Sequence, residues 1–305
     1  MFNKRSTLNS MLTRTPGAAI APATRLAEVN STAQLIDLWL HGKTRQSQRA
    51  YRGDINCFLA FVETKPLPQV TLNDVQAFAD ALASQGYSAA TQNRRLSSLK
   101  SLLSFGHRVG YLPFNVGASL DTPPVKNTLA ERILTELEVM TMIALEPCER
   151  NKLLLRFLYA SGARVSETSS LRWRDFKPVG DRGQVALYGK GGKTRYVALP
   201  ASLWKELTKF RGDAGQDDPV FRSRKFAGAI QPNQVRRIIE IAGSRAGIEG
   251  KVSPHWFRHS HASHALDRGA PVQLVQATLG HASVATTSRY LHARPSDSSA
   301  LYLPF

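Results

Sequence analysis

The chain has 305 residues, enough for two domains of ordinary size, each with its own core. Lys plus Arg number 40 against 23 Asp plus Glu, a formal charge of +17 with an isoelectric point near 10.3, which points to a polyanionic partner, nucleic acid before an anionic membrane surface. An apolar run of about 18 residues and an N-terminal leader with a charged start and apolar centre are both missing, so a soluble, cytoplasmic protein is expected. Cys57 and Cys148 stand far apart, outside any Cys-x-x-Cys pair, which excludes a disulfide framework or thiolate metal site and leaves two expected core thiols.

Residues 1–27 mix Thr, Pro, Ala and Ser with Lys4, Arg5, Arg14 and Arg25 and show no apolar periodicity, the pattern of a basic flexible tail. From 28 to 114 apolar residues recur at three- and four-residue spacing in AQLIDLWL, YRGDINCFLAFV, VQAFADALASQG and NRRLSSLKSLLSFG, which predicts a bundle of four helices. Thr71 and Ser88 suit N-caps, Asp74 completes a capping box with Thr71, and Gly86 and Gly110 are stop signals. Basic side chains gather at Lys43, Arg45, Arg49 and Arg52, and again at Arg94, Arg95 and Lys100. A charged helix face is often only solvated, but an excess of one sign fits contacts to DNA phosphates, which position a protein without reading sequence. Residues 115–128, through NVGASLDTPPVKN, are rich in Gly, Pro and polar residues and read as an interdomain linker.

The second domain is expected over 129–305. TELEVMTMIALE predicts a helix capped by Thr135 with Glu138 three residues on, and NKLLLRFLYASG a helix ended by Gly162. Alternating QVALYG and TRYVALP flank GKGGK, a β-hairpin with Lys193 at or near its tip. Gly192-Lys193-Thr194 looks like the end of a phosphate-binding loop, but Leu187 stands where its first Gly should be, so no nucleotide site is implied. SLWKELTKFRG, QPNQVRRIIEIAGSRAGI, SPHWFRHSHASHALDRG and PVQLVQATLG give further helices, the third with Ser253 as N-cap and Pro254 at its first position. That helix holds His255, His259, His261 and His264; Trp256 replaces the Glu that a zinc-protease helix needs beside its first His, and no metal is expected. The fold class is therefore mainly α with a small β-sheet, an α+β chain with a helical bundle first.

Late in the chain His255 precedes Arg258 by three residues, Leu279-Gly280-His281 follows, and Tyr290 stands nine positions further on. His and Arg three apart share a helix face and can reach one anion. Upstream, Ser161 to Glu167 reads SGARVSE and Tyr188 to Pro200 reads YGKGGKTRYVALP. Together and in this order these blocks resemble the active-site motifs of the tyrosine recombinases, the phage-integrase and Xer-like family. The segment departs modestly from the family pattern, with Phe257 where Leu is usual and His261 where an aromatic is common.

The resemblance implies a site-specific recombinase made of an N-terminal core-binding, SAM-like domain, one half of a clamp around double-stranded DNA, and a catalytic domain. It implies Arg164 and Arg258 on the scissile phosphate, with Glu167 in support. Lys193 would protonate the leaving 5′-oxygen, His281 would bond the phosphate, and His255 would assist Tyr290. The phenol would attack to leave a 3′-phosphotyrosyl link. Such a link stores the ester energy, so no cofactor is expected. Two alternatives share parts of this pattern: a type IB topoisomerase-like enzyme, and a non-catalytic architectural or regulatory DNA-binding protein. Self-association into a tetramer on paired DNA sites follows from the same resemblance. The apolar tail SDSSALYLPF after Pro295 should dock, either on its own domain or on a neighbouring protomer.

Overall fold

The computed structural model describes residues 29–124, 132–189, 192–224 and 228–290. The basic tail of 1–27 and the tail after Pro295 lie outside the described residues. A boundary between Lys126 and Asn127 divides the chain into two compact units.

In the first unit α1 (Thr32–Leu40), α2 (Arg45–Phe61), α3 (Leu72–Ser84) and α4 (Ala89–Arg108) each start at a hydroxyl side chain. Ser31, Thr44, Thr71 and Ser88 accept hydrogen bonds from backbone N–H groups of their first turns, which satisfies donors that the helix itself cannot use. The capping box read from Thr71 and Asp74 is formed. The apolar stripes meet in one core, with Leu35, Ile55, Phe58, Val75, Leu96, Leu99, Leu102 and Leu103 wholly buried and Phe58 edge-on to Phe78 at 5.1 Å. Leu120, well past α4, is buried in the same core, and Asn93 donates to the Pro123 carbonyl at 3.2 Å.

In the second unit α5 (Glu136–Ala144), α6 (Glu149–Ser161) and α7 (Val165–Ser170) precede a three-stranded antiparallel sheet of β1 (Phe176–Val179), β2 (Arg182–Tyr188) and β3 (Thr194–Leu199), in that order. The sequence predicts a hairpin, and the structure adds β1, which pairs Phe176 with Val185 across a turn at Gly180 and Asp181. Only Phe176 of β1 is buried, so that strand carries no alternation to read. Val185, Leu187, Val197 and Leu199 line the buried face of the other two strands. Then follow α8 (Ala201–Arg211), α9 (Pro232–Arg245), α10 (Pro254–Asp267), α11 (Val272–Leu279) and α12 (Val284–Ser288). Ser253 does occupy the N-cap position of α10, with Pro254 after it, but its side chain makes no capping bond.

Two glycines set the geometry that the site depends on. Gly162 ends α6 in the left-handed region at φ 57°, and a Cβ there would fall 2.5 Å from Leu279 Cδ2. Gly280 ends α11 at φ 64°, where a Cβ would lie 3.1 Å from Arg195 Cδ. The ends of α6 and α11 are thereby brought together. The two cysteines are half-buried rather than core thiols: Arg95 donates to Cys57 Sγ at 3.2 Å and Arg224 to Cys148 Sγ at 2.7 Å.

Candidate functional site

Helix α10 crosses the second unit with a polar interior, burying Arg258, Ser260, Ser263 and His264 beside Phe257 and Ala262. Ser260 is held on both sides, accepting from the Leu134 N–H at 2.9 Å and donating to the Trp256 carbonyl at 2.8 Å. Arg258 is 5 % exposed, and its guanidinium donates to the carbonyls of Gly162 at 2.6 Å and Leu279 at 2.5 Å. Those carbonyls belong to helix C-termini, where unpaired acceptors and the negative dipole end favour a cation. Burial first, then Arg164 and Arg195, lowers the Arg258 pKa to about 10, so it stays charged at neutral pH. A guanidinium has donors to spare beyond these two bonds.

Arg164 precedes α7 directly. Its backbone N–H donates to Glu167 Oε2 at 2.7 Å, and its side chain reaches Glu167 Oε1 at 2.9 Å and the Gly280 carbonyl at 3.4 Å. Glu167 also receives a two-pronged pair from Arg195, at 2.7 and 2.8 Å, and Arg195 continues to the Thr278 carbonyl at 2.7 Å. Burial alone would push the Glu167 carboxyl up; the bonds from Arg195 and Arg164 outweigh it and hold the group below the usual carboxylate range. Arg195 therefore fastens β3 to α7 and to the end of α11. Sequence reading passed over it, although it stands two residues after Lys193; its contacts lie 28 and 83 residues away, where no spacing rule reaches.

Arg164, Lys193, Arg195 and His281 line one cavity of about 640 Å³. Lys193 is exposed at the foot of β3, and its carbonyl accepts from the Gly189 N–H at 2.8 Å, closing the turn. His281 Nδ1 bonds Thr287 Oγ1 at 2.8 Å, and its ring lies nearly parallel to that of Tyr290 at 6.4 Å. Tyr290 is 5 % exposed, packed with Ile133, Ala262, Val275 and Leu279. Burial raises its pKa against the opposing pull of Arg258 and Arg289, so the phenol is protonated at rest. Its hydroxyl lies 2.7 Å from His259 Nδ1, not at His255, whose ring is 6.3 Å from that of His259.

His255, His261 and His281 are shifted towards their neutral forms. Burial is the first cause throughout, with Arg258 adding to it, and it lowers the pKa of His255 and His261 and takes His281 to about 4. His261 Nδ1 bonds the Tyr159 carbonyl and His264 Nδ1 the Tyr159 hydroxyl, each at 2.8 Å, so these two rings serve packing. Among the described residues no group of three or more His, Cys, Asp or Glu side chains could hold a metal ion. Likewise, among the described residues no helix is long and apolar enough to cross a membrane.

The basic residues singled out in the first unit have varied surroundings. Arg52 pairs with Asp37 at 2.7 Å, Arg94 with the buried Asp54, and Lys100 donates to the Leu120 carbonyl. Arg95 stacks over Tyr87 at 4.1 Å, and Lys43 lies 5.5 Å from the Trp39 ring centroid and 5.7 Å from that of Tyr51. Arg45 and Arg49 are exposed in the opening turns of α2.

Comparison with known proteins covers both units. The model of the phage integrase family matches residues 131–297, and that of the phage integrase N-terminal SAM-like domain matches 35–110. The tyrosine recombinase XerD of Bifidobacterium longum is 33% identical over 276 residues, which cover 83% of this chain and 89% of that protein. The tyrosine recombinase XerC of Anoxybacillus flavithermus is 30% identical over 299 residues, 91% of this chain and 98% of the relative. Among solved structures, a lambda integrase dimer bound to a COC′ core site superposes with a TM-score of 0.69 at 19% identity, covering 87% of this chain and 95% of that one. The XerH recombinase bound to difH substrate does so at 0.65 and 23% identity, covering 90% and 84%. At these identities the two structures speak for the fold alone.

Proposed function

The chain belongs to the phage integrase family and is a site-specific tyrosine recombinase acting on DNA, and from that premise we propose that Tyr290 is its nucleophile. The observation that carries this reading is a cavity lined by Arg164, Lys193 and His281, with the His281 ring alongside that of Tyr290 and Arg258 bonded to the carbonyl of Leu279, which packs against the same phenol.

The chemistry follows from the groups. Attack on a phosphodiester gathers negative charge on the non-bridging oxygens, and Arg164 and Arg258 neutralise it with forked donors already fixed in place. His281 hydrogen-bonds the same phosphate. Lys193 protonates the leaving 5′-oxygen. The family pattern gives His255 the part of assisting Tyr290. Glu167 holds Arg164 and Arg195 in register. The product is a 3′-phosphotyrosyl link, which a second 5′-hydroxyl displaces without an external energy source.

In this reading the domains run 28–114 for the DNA-binding bundle, 115–128 for the linker and 129–305 for the catalytic half. Lys43, Arg45, Arg49, Arg52, Arg94, Arg95 and Lys100 contribute phosphate contacts. Arg45 and Arg49 support this best, since cations at a helix N-terminus oppose the dipole and gain most from an anion. The protein acts as a tetramer on paired sites, with the tail after Pro295 linking protomers, and works in the cytoplasm.

A nicked suicide duplex carrying the cognate site tests the assignment on a denaturing gel. The site itself is obtained by sequencing DNA attached covalently to purified protein. Wild type is expected to form an adduct and Tyr290→Phe none, with DNA affinity nearly unchanged; adduct from the Phe variant would falsify the assignment.

A further inference from the structure

The phenol of Tyr290 meets a histidine outside the His-x-x-Arg, Leu-Gly-His and Tyr positions. Its hydroxyl lies 2.7 Å from Nδ1 of His259, with ring centroids 5.6 Å apart at 44°. The contact is packed in at both ends. Tyr290 is wedged among Ile133, Ala262, Val275 and Leu279, and the residues on either side of His259 are fixed, Arg258 on two carbonyls and Ser260 on two backbone groups. His281 lies alongside the phenol ring but spends its Nδ1 on Thr287. His255 is exposed and faces His259 rather than the hydroxyl.

We propose that His259 is the catalytic residue that takes the proton of the Tyr290 hydroxyl through Nδ1 as the strand is cut, and returns it as the strand is rejoined. The inference rests on the reading of Tyr290 as nucleophile. In the cut, the Oη–H bond breaks and its proton passes to Nδ1. The Oη–P bond forms, the P–O5′ bond breaks, and O5′ takes a proton from Lys193. Rejoining runs the same transfers in reverse.

The surroundings suit an acceptor that starts neutral. His255 and Arg258 face His259 from α10, Arg132 from the segment before α5, and Arg289 and Tyr290 from the end of α12. Burial first, then His255 and these arginines, takes its pKa down to about 4, so the free imidazole prevails at neutral pH. A phosphodiester entering beside Arg164 and Arg258 brings negative charge, which raises the basicity of the ring when the proton is needed.

Single-turnover cleavage of the suicide duplex is measured across pH for wild type, His259→Asn, His259→Phe and His255→Asn, with gel-shift affinity and thermal melting of each full-length protein. Asn keeps a polar atom near the position of Nδ1 but cannot take a proton. Both His259 variants are expected to lose about a hundredfold in rate near neutral pH. Their residual rate should climb with pH as hydroxide ionises the phenol, while wild type holds a plateau and His255→Asn, at whatever rate it retains, keeps the wild-type profile. A plateau at wild-type rate in His259→Phe, or the climbing profile in His255→Asn alone, overturns the proposal. Histidine side-chain ¹⁵N spectra of the wild-type protein give a second arm that needs no variant: Nδ1 of His259 must be unprotonated, and an Nδ1–H tautomer donating to the phenol oxygen excludes it as acceptor. Adduct formed by Tyr290→Phe would instead sink the nucleophile assignment, leaving a distinct signature.

Discussion

Two buried carboxylates, Asp54 in the first unit and Glu167 in the second, are matched in opposite ways. In the bundle, Asp54 sits 4 % exposed against one arginine, Arg94, and the hydroxyl of Ser98, so charge is matched one to one. In the catalytic unit, Glu167 at 3 % exposed is surrounded by Arg164 and Arg195, and Arg258 is buried nearby on carbonyls alone. Two guanidiniums share one carboxylate, and a third lies nearby with none. An uncompensated positive charge of this kind is costly to bury unless an anion completes it, and in the proposed function the DNA phosphate is that anion.

The largest effect that would sharpen this contrast is the loss of Arg195. Arg195→Met leaves Glu167 buried beside Arg164 only, and should cost about 3–5 kcal/mol in denaturant unfolding. Arg94→Met removes a half-exposed partner while Ser98 still bonds Asp54, and should cost no more than about 1–2 kcal/mol. Equal losses would mean that the two pairs are alike and that the surplus charge has no special standing.

Next in size is Arg258→Lys. The charge survives, but the fork that spans two helix ends does not, so cleavage should fall about a hundredfold or more, worth about 2.7 kcal/mol, with little change in binding. Parallel losses in gel-shift affinity and cleavage rate would reduce Arg258 to a docking contact.

A smaller, distributed effect concerns acid. His255, His259, His261 and His281 all have folded pKa values below the unfolded value near 6.5, about 4 for His259 and His281. Between about 4 and 6.5 the unfolded chain then binds more protons than the folded one. Their contribution to stability is complete above 6.5 and is lost as the pH falls toward 4. Urea midpoints of the free protein should drop between pH 7 and pH 5, and a flat response would show that these rings titrate freely.

The smallest effect belongs to the bundle surface. Arg45→Ala with Arg49→Ala should leave the unfolding midpoint within about 0.5 kcal/mol and reduce the slope of log affinity against log salt by about two. An unchanged slope would remove these arginines from the DNA contact.

Much of this is legible in the sequence. Thr71 with Asp74 and Thr135 with Glu138 announce helix starts three residues apart, and both boxes form. β1 was not legible because one buried residue makes no period, and α12 because Val284–Ser288 is shorter than two turns. The motif residues Arg164, Lys193, Arg258, His281 and Tyr290 stand out by order along the chain. Arg195 and His259 were in plain view within the same blocks and stayed unassigned.

The sequence by itself determined where most of the longer helices begin and end, because caps, glycines and apolar spacing act within a few residues. It also determined the family, since five short blocks in fixed order are a linear property. Only the tertiary structure decided which side chain each proposed catalytic group touches. The Tyr290–His259 bond spans 31 residues, the Arg195–Glu167 pair 28 and the Arg258–Gly162 bond 96. Such contacts depend on how α6, α10 and α11 meet, and that is fixed by the close approach at Gly162 and Gly280 and by the burial of side chains from separate segments. A hydrogen bond needs its atoms placed to within tenths of an ångström, and no local rule carries that precision across so many residues.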